Sequence, residues 1–443
     1  MIRKIAFALI ISFLFRLFIV FCLPVRKFDD SIRRYHYAAV NMLEGRGYSH
    51  FNAPPYLVSF YKPPVYALFL FAIYKVCGIN LNMVRIVQAL LDSFACVILF
   101  LLLRMYFEQK VAYAGLWLAA LCPITAVYTN LINPESLALF FMVLSLFLLS
   151  KALVLRKTYL FLLSGISTII LGYLRLELFS FVIIFGGCLF IRLMRRDLSK
   201  LFFYFLGVFI IMSPWVARNY FLTGKFIPLS AGSGIGFSVF YGTFDYANRD
   251  ALSLDRFYKA NPDVESKIDE WYRVVLYSNS SVQEKIDVDK KLMSAAIHII
   301  REHPWRYLFG RISEIPHVWI NLHADEFAFL NNQDLRLFHP ELGKIKKYAE
   351  EKPEAVYVLL AKYALLSIII FYLSTAIAGL WLMRRELFAV ILFFLPLVYV
   401  QTFLFFIQIS ANFVVPYWAC LISFSAVGLS RVFLKSKPNI MIA

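Results

Sequence analysis

The sequence predicts an all-α polytopic integral membrane protein: a bundle of about 10 transmembrane helices, with juxtamembrane helices on its outer face and a mixed extracytoplasmic insert. Three observations carry that expectation. Apolar residues fill 61% of the 443 positions, charged residues only 16%, and the mean hydropathy is +0.69; a soluble core of this size would not bury so much hydrophobic surface. The apolar residues come in runs near 5–23, 83–104, 111–129, 135–154, 158–174, 176–194, 200–217, 357–383, 387–407 and 412–432. The basic residues behind the net charge of +17 stand in short clusters beside those runs. There they orient spans and meet anionic headgroups, which argues against nucleic acid as their partner.

The elements follow in order. Met1-Ile-Arg-Lys precedes about 18 apolar residues and then Cys22-Leu-Pro-Val-Arg, with no small-x-small cleavage site. It reads as an uncleaved first helix whose basic end faces the cytoplasm. Alternation from that start makes Arg104 to Lys110, Arg156-Lys157, Arg192 to Lys200, Arg384-Arg385 and the tail from Arg431 cytoplasmic, and each of these is basic. This parity requires that 63–78 and 305–322 do not cross. The first is short for a span, and the second carries Arg306, Arg311 and Glu314 on an amphipathic pattern. Both are expected to lie on the outer surface.

Three regions result. Residues 1–217 form a transmembrane core that carries the first outer loop, 24–82. Residues 218–355 form an extracytoplasmic insert that includes the interfacial helix 305–322. Residues 356–443 add the last spans and a basic cytoplasmic tail. The insert holds 19 of the 28 acidic residues and helical stretches such as "SVQEKIDVDKKLMSAAIHIIREHPWRYL" (281–308), so a folded cap is expected.

Charged residues gather at the outer ends of several helices: Asp29 and Asp30, Lys62, Glu135, Arg175 with Glu177, and Arg218. Together they are able to line one cavity, though each also has a plainer reading. Glu135 suits the free N–H groups of a helix start, Arg175 and Glu177 a turn reaching the interface, Lys62 and Arg218 membrane-edge anchors. Asp29 and Asp30, beside Arg26, Lys27, Arg33 and Arg34, suit a surface salt-bridge set. Asp92, with Arg85 and Gln88 two turns and one turn earlier, makes a polar stripe expected to face other helices. The six cysteines show no CxxC spacing and the seven histidines no ligand pair, so both read as packing or surface residues. "AGSGIGF" (231–237) lacks the Lys-Ser/Thr of a nucleotide loop and reads as an outer loop contacting substrate.

"YHYAAVNMLEGRGYS", "YKPPVYALFLFAIYKVCG", "SPWVARNYFLTGKFIPLSAGSG" and "AAIHIIREHPWRYL", in that order, resemble successive motifs of the membrane-bound glycosyltransferases of the C-type (GT-C) fold. Within these the chain is similar to the bacterial branch related to protein O-mannosyltransferases and the lipid A aminoarabinose transferase. The resemblance implies transfer of a sugar from a polyprenyl-phosphate donor to a protein, lipid or glycan acceptor. That reaction would take place outside a bacterial cytoplasmic membrane, with both termini in the cytoplasm. It implies a first-loop aspartate, Asp30 or Asp29, as base. Lys62, Arg175 and Arg218 would bind the lipid phosphate, and Tyr35, Tyr61, Glu135 and Glu177 the substrates. No cofactor is implied, and a divalent metal is not expected.

The chemistry asks for the same residue types. An attacking hydroxyl or amine must lose a proton, a departing phosphate needs cations, and one displacement with one base inverts the anomeric centre. Two positions depart from the family pattern. Ser31 stands four before Tyr35, where the acidic residue is usual, with Asp30 one further away; Asn412 in "SANFVVPY" replaces an arginine. Two other classes stay open: a transporter or flippase for polyprenyl-linked saccharides, and a catalytically silent binding protein of the same fold.

Overall fold

The computed structural model describes residues 1–22, 30–60, 62–194, 197–231, 235–245, 262–277, 280–320, 354–384, 387–406 and 411–433. Every regular element among them is helical. The helices of the core are α1 (Ile2–Cys22), α2 (Asp30–Leu43), α3 (Val65–Cys77), α4 (Leu81–Tyr106), α5 (Gln109–Ala120), α6 (Pro123–Tyr128), α7 (Glu135–Leu155), α8 (Thr158–Leu174), α9 (Ser180–Leu193) and α10 (Ser199–Thr223). The insert contributes α11 (Ile235–Asp245), α12 (Pro262–Trp271), α13 (Val282–Glu302) and α14 (Pro304–Ile320). The C-terminal part adds α15 (Glu354–Met383), α16 (Leu387–Phe406) and α17 (Trp418–Phe433). Six described stretches are long and apolar enough to cross a membrane: Ile2–Cys22, Leu81–Tyr106, Glu135–Leu155, Leu176–Leu193, Ser199–Thr223 and Tyr363–Met383. Thr158–Leu174 and Val390–Leu404 are shorter apolar helices, as is Val65–Cys77.

α1 shows how these helices meet lipid and protein at once. It buries Ala8, Ser12, Arg16 and Val20, one residue per turn, while Phe7, Leu14, Phe18 and Phe21 stay exposed on the other faces. A fully buried arginine inside a span needs partners, and Arg16 has them. Its Nε donates to Asp92 of α4 at 2.5 Å, Nη1 to Ser12 Oγ at 2.7 Å and to the Ala120 carbonyl at 2.8 Å, and Nη2 to the Ala119 carbonyl at 3.2 Å. Those carbonyls belong to the end of α5, which explains why the expected span at 111–129 is in fact two helices. Pro123 lacks an N–H and disfavours helical geometry at Cys122; at this break Arg16 donates to the Ala120 carbonyl and shares the Ala119 carbonyl with the Cys122 N–H at 3.3 Å. The expected span at 412–432 also differs: two short 3-10 turns, Ala411–Phe413 and Val415–Tyr417, precede α17.

Packing is close where side chains are absent. A Cβ on Gly207 of α10 would come within 2.2 Å of the Leu162 carbonyl oxygen of α8, so only glycine allows this approach. In the insert, Ser281 and Glu284 form a capping box at the start of α13. Asp289 of α13 accepts from the backbone of Gly236 and Phe237 on α11 and from Trp271 Nε1, while Phe237 stacks on Trp271 at 4.3 Å. α14 buries Arg311 and Trp319 and exposes Trp305, Phe309 and Ile312, the aromatic face expected of a helix lying at an interface.

Candidate active site

The polar stripe of α4 sets up the site. Gln88 Nε2 donates to the carbonyls of Thr129 (3.0 Å) and Leu131 (2.7 Å), and its Oε1 accepts from the Tyr66 hydroxyl of α3 at 2.8 Å. Arg85 donates to Asn130 and to the Val20 carbonyl of α1. The turn 129–134 is thereby tied to α1, α3 and α4, and it delivers Glu135 as the first residue of α7.

Glu135 does not stand as an isolated helix-start carboxylate. Arg175, at the end of α8, donates from Nη1 to Glu135 Oε1 at 2.7 Å and from Nε to Glu177 Oε1 at 2.5 Å. The three side chains are 1%, 12% and 11% exposed. Glu135 Oε2 is buried with no hydrogen-bond partner. Phe413 lies 4.6 Å from the Arg175 guanidinium, and the Tyr399 hydroxyl of α16 donates to the Glu177 carbonyl at 2.5 Å. Segments from the middle and the C-terminal end of the chain therefore share one cluster, with two carboxylates to one guanidinium.

The cluster forms part of the wall of a cavity of about 440 Å³. Its lining includes the polar residues Lys62, Arg175, Glu177 and Tyr35 and the apolar Ile183 of α9 and Phe403 of α16. Lys62 Nζ sits 4.4 Å over the Tyr35 ring, which meets Tyr66 edge-on at 5.0 Å. The Tyr48 hydroxyl donates to the Lys62 carbonyl at 2.9 Å. Two cations, Lys62 and Arg175, thus line one cavity with apolar side chains of α9 and α16.

The "SPWVARNYFLTGKFIPLSA" segment has a mechanical explanation. α10 ends at Gly224, whose φ of +67° suits a residue without a side chain. The chain then folds back on its own helix: Asn219 Nδ2 donates to the Ile227 carbonyl at 3.0 Å and Trp215 Nε1 to the Leu229 carbonyl at 2.9 Å. Tyr173 of α8 donates to the Pro228 carbonyl at 3.0 Å, and the Ala231 N–H donates to the Phe60 carbonyl of the first loop at 2.9 Å. The motif therefore pins the first loop against α8 and α10.

Of the residues expected from sequence, Lys62, Arg175, Glu177 and Tyr35 line the cavity, and Glu135 joins through Arg175. Arg218 lies elsewhere, among the rings of Tyr48 (5.5 Å), Phe60 (5.3 Å) and Trp215 (4.8 Å), and it is not in the cavity wall. Asp30 begins α2, the helix that carries Tyr35. Asp29 and Tyr61 lie outside the described residues. Asn412 sits in the 3-10 turn whose next residue, Phe413, packs on Arg175. Sequence reasoning missed Tyr399, Phe403 and Phe413, because an aromatic within an apolar run carries no mark of facing a cavity. No group of three or more His, Cys, Asp or Glu among the described residues is placed to hold a metal ion.

Residues 61–217 match the family model described as dolichyl-phosphate-mannose-protein mannosyltransferase. A comparison with curated proteins returns no match. Among solved structures, the chain is similar to the oligosaccharyltransferase of Archaeoglobus fulgidus in its apo form, with a TM-score of 0.52 and 13% identity over 97% of this chain and 51% of that one. AglB of the same organism, in complex with an inhibitory peptide and a dolichol-phosphate, gives 0.50 and 13% over 98% and 50%. ArnT of Cupriavidus metallidurans bound to undecaprenyl phosphate gives 0.41 and 13% over 97% and 76%. The chain thus spans about half the length of the archaeal enzymes. It has the C-type glycosyltransferase fold, and its segment from Tyr61 to Ala217 matches the protein-mannosyltransferase model.

Proposed function

We propose that this protein is a glycosyltransferase that moves a sugar from a polyprenyl-phosphate-linked donor to an acceptor at the extracytoplasmic membrane face, by one inverting displacement with Asp30 as base. The observation that carries the reading is the cavity of about 440 Å³, lined by Lys62 and Arg175 together with apolar residues such as Ile183 and Phe403. An anionic head on a long hydrocarbon tail asks for both kinds of lining. AglB, which shares the fold, is bound to a dolichol-phosphate in its solved structure, a lipid of the class proposed here.

The roles follow from charge. As the glycosidic bond to phosphate breaks, negative charge grows on the departing oxygen, and Lys62 and Arg175 offset it. Glu135 and Glu177 fix Arg175 through Nη1 and Nε and so set its aim, leaving Nη2 as the nitrogen those carboxylates do not take. Glu177 and Tyr35, in the wall, offer an acceptor oxygen and a ring face to sugar or acceptor. Asp30, at the head of the helix that carries Tyr35, accepts the proton of the attacking group, a contribution of roughly 10²–10⁴-fold. The lipid tail lies among the membrane helices, in a bacterial cytoplasmic membrane whose inner side holds both termini.

The test is to incubate the purified protein with labelled polyprenyl-phosphate sugars and follow release of the lipid phosphate. Release that is lost in Asp30→Asn and Lys62→Met, with folding intact, is expected. Binding without release in the wild type would favour a silent binding protein. Movement of intact donor across proteoliposomes would favour a transporter. Full turnover in Asp30→Asn would remove the base assignment.

A further inference from the structure

We propose that Arg218 and Tyr48 are positioning residues for Lys62, acting through the first loop instead of touching the donor. The proposal rests on the reading of the cavity as a lipid-phosphate site, but its geometry stands without that reading. Arg218 is enclosed by three rings, of Tyr48, Phe60 and Trp215, and its Nη1 donates to Asn219 Oδ1 at 2.8 Å. Two of those rings, Tyr48 and Phe60, belong to the first loop; the third belongs to α10. The guanidinium is therefore a rivet between loop and helix, held by cation–π contact in a partly desolvated place.

The other end of the rivet is Lys62. The Tyr48 ring that Arg218 and Trp215 hold carries a hydroxyl that donates to the Lys62 carbonyl at 2.9 Å and reaches the Pro63 carbonyl at 3.4 Å. Burial pushes the Tyr48 phenol above its ordinary value, more than Arg218 pulls it down, so the group stays a donor. Lys62 precedes Pro63 and Pro64, and neither proline has an N–H with which to anchor this stretch. Tyr48 fixes the Lys62 backbone, the Tyr35 ring fixes its ammonium, and the cavity lies beyond. The backbone of Tyr48 is tied to the same loop: across segment 51–60 the Ser59 N–H donates to the Tyr48 carbonyl at 2.9 Å.

The alternative is that Arg218 binds phosphate directly. Two measurements on the full chain in detergent separate them: affinity for undecaprenyl phosphate, and the rate at which an amine-specific reagent modifies Lys62, read by peptide mass spectrometry against exposed Lys75. Tyr48→Phe removes one oxygen and keeps the ring; Arg218→Met keeps the stem and removes the cation. Each variant is expected to weaken binding roughly three- to tenfold, the range of one lost hydrogen bond. The double variant should be no weaker than the weaker-binding single one, and Lys62 modification should change in all three while Lys75 does not. Losses that multiply in the double variant, or an Arg218→Met loss with Lys62 reactivity unchanged, would make Arg218 a direct ligand and overturn the proposal. If Lys62→Met binds the lipid as the wild type does, the cavity reading fails instead, and the reactivity arm still decides the positioning claim. If Arg218→Met does not fold, Tyr48→Phe decides it alone: unchanged Lys62 reactivity overturns the relay.

Discussion

Replacing Arg175 by glutamine would remove the one cation that Glu135 and Glu177 share, and the structure sets the scale of the damage. The guanidinium touches the carboxylates at 2.7 and 2.5 Å through two different nitrogens, and Glu135 is only 1% exposed. Two unit charges about 4 Å apart attract by about 4 kcal/mol at an effective dielectric near 20. Much of that attraction is offset by the desolvation that no longer has to be met once the cation is gone. What persists is Glu135, buried, with Oε1 stripped of its guanidinium and Oε2 already without a hydrogen-bond partner. Breaking such a pair costs about 3–5 kcal/mol. The assay is unfolding in mixed micelles of graded SDS content, followed by helical circular dichroism. Arg175→Gln should lose about 3–5 kcal/mol, and Arg175→Lys should recover only part, because one ammonium does not reproduce the two-nitrogen fork. Glu135→Gln added to Arg175→Gln should restore stability, with a coupling of about 1–3 kcal/mol. A loss below about 1 kcal/mol for Arg175→Gln, or a double variant no more stable than the single, would refute the reasoning that a shared buried cation holds this corner of the site.

Other expectations follow from the fold. Arg16→Met leaves Asp92 without its guanidinium partner and the Ala120 carbonyl without its Arg16 donor and should cost about 3–5 kcal/mol in the same titration, with Asp92→Leu added to it recovering much of the loss. Gly207→Leu forces α8 and α10 apart and should cost about 1–3 kcal/mol or more, seen as a lower midpoint. Burial holds the His36 imidazole below its ordinary value, so the unfolded chain binds the proton more readily. The stability this gives is present above the unfolded value near 6.5 and is lost as pH falls below it, through the depressed folded value; His36→Phe should flatten that part of the profile. Trp305 and Phe309 on the exposed face of α14 should meet lipid, so brominated lipid should quench Trp305 emission, and absence of quenching relative to a Trp305→Phe control would put that helix away from the bilayer.

Much of this was legible in order of physical simplicity. Spans are long continuous runs, so the helices at 2–22, 81–106 and 135–155 follow from composition alone. The polar stripe of Arg85, Gln88 and Asp92 was readable as buried because three such residues on one helix face cannot all meet lipid; all three are buried. The break at Cys122-Pro123 was written in the sequence but was masked by apolar residues on either side. The partner of Asp92 was not legible: Arg16 lies in the first apolar run, and only packing brings α1 against α4. The surroundings of Arg218 were not legible either. Its place at a helix end resembles that of Arg175, yet the one lies among the rings of Tyr48, Phe60 and Trp215 and the other is held by carboxylates in a cavity wall.

The sequence alone determined that this chain is a helical membrane protein and which residues carry charge near its helix ends, because hydrophobicity and charge are properties of segments that need no neighbour. Its motifs further implied a C-type glycosyltransferase. Tertiary structure decided which of those charges meet. Glu135, Arg175 and Glu177 join with Tyr399 and Phe413 from more than two hundred residues later in the chain, and Lys62 reaches the same cavity from the first loop. The physical reason is that a site is made of distances, and distances between segments far apart in sequence are set by how the helices pack.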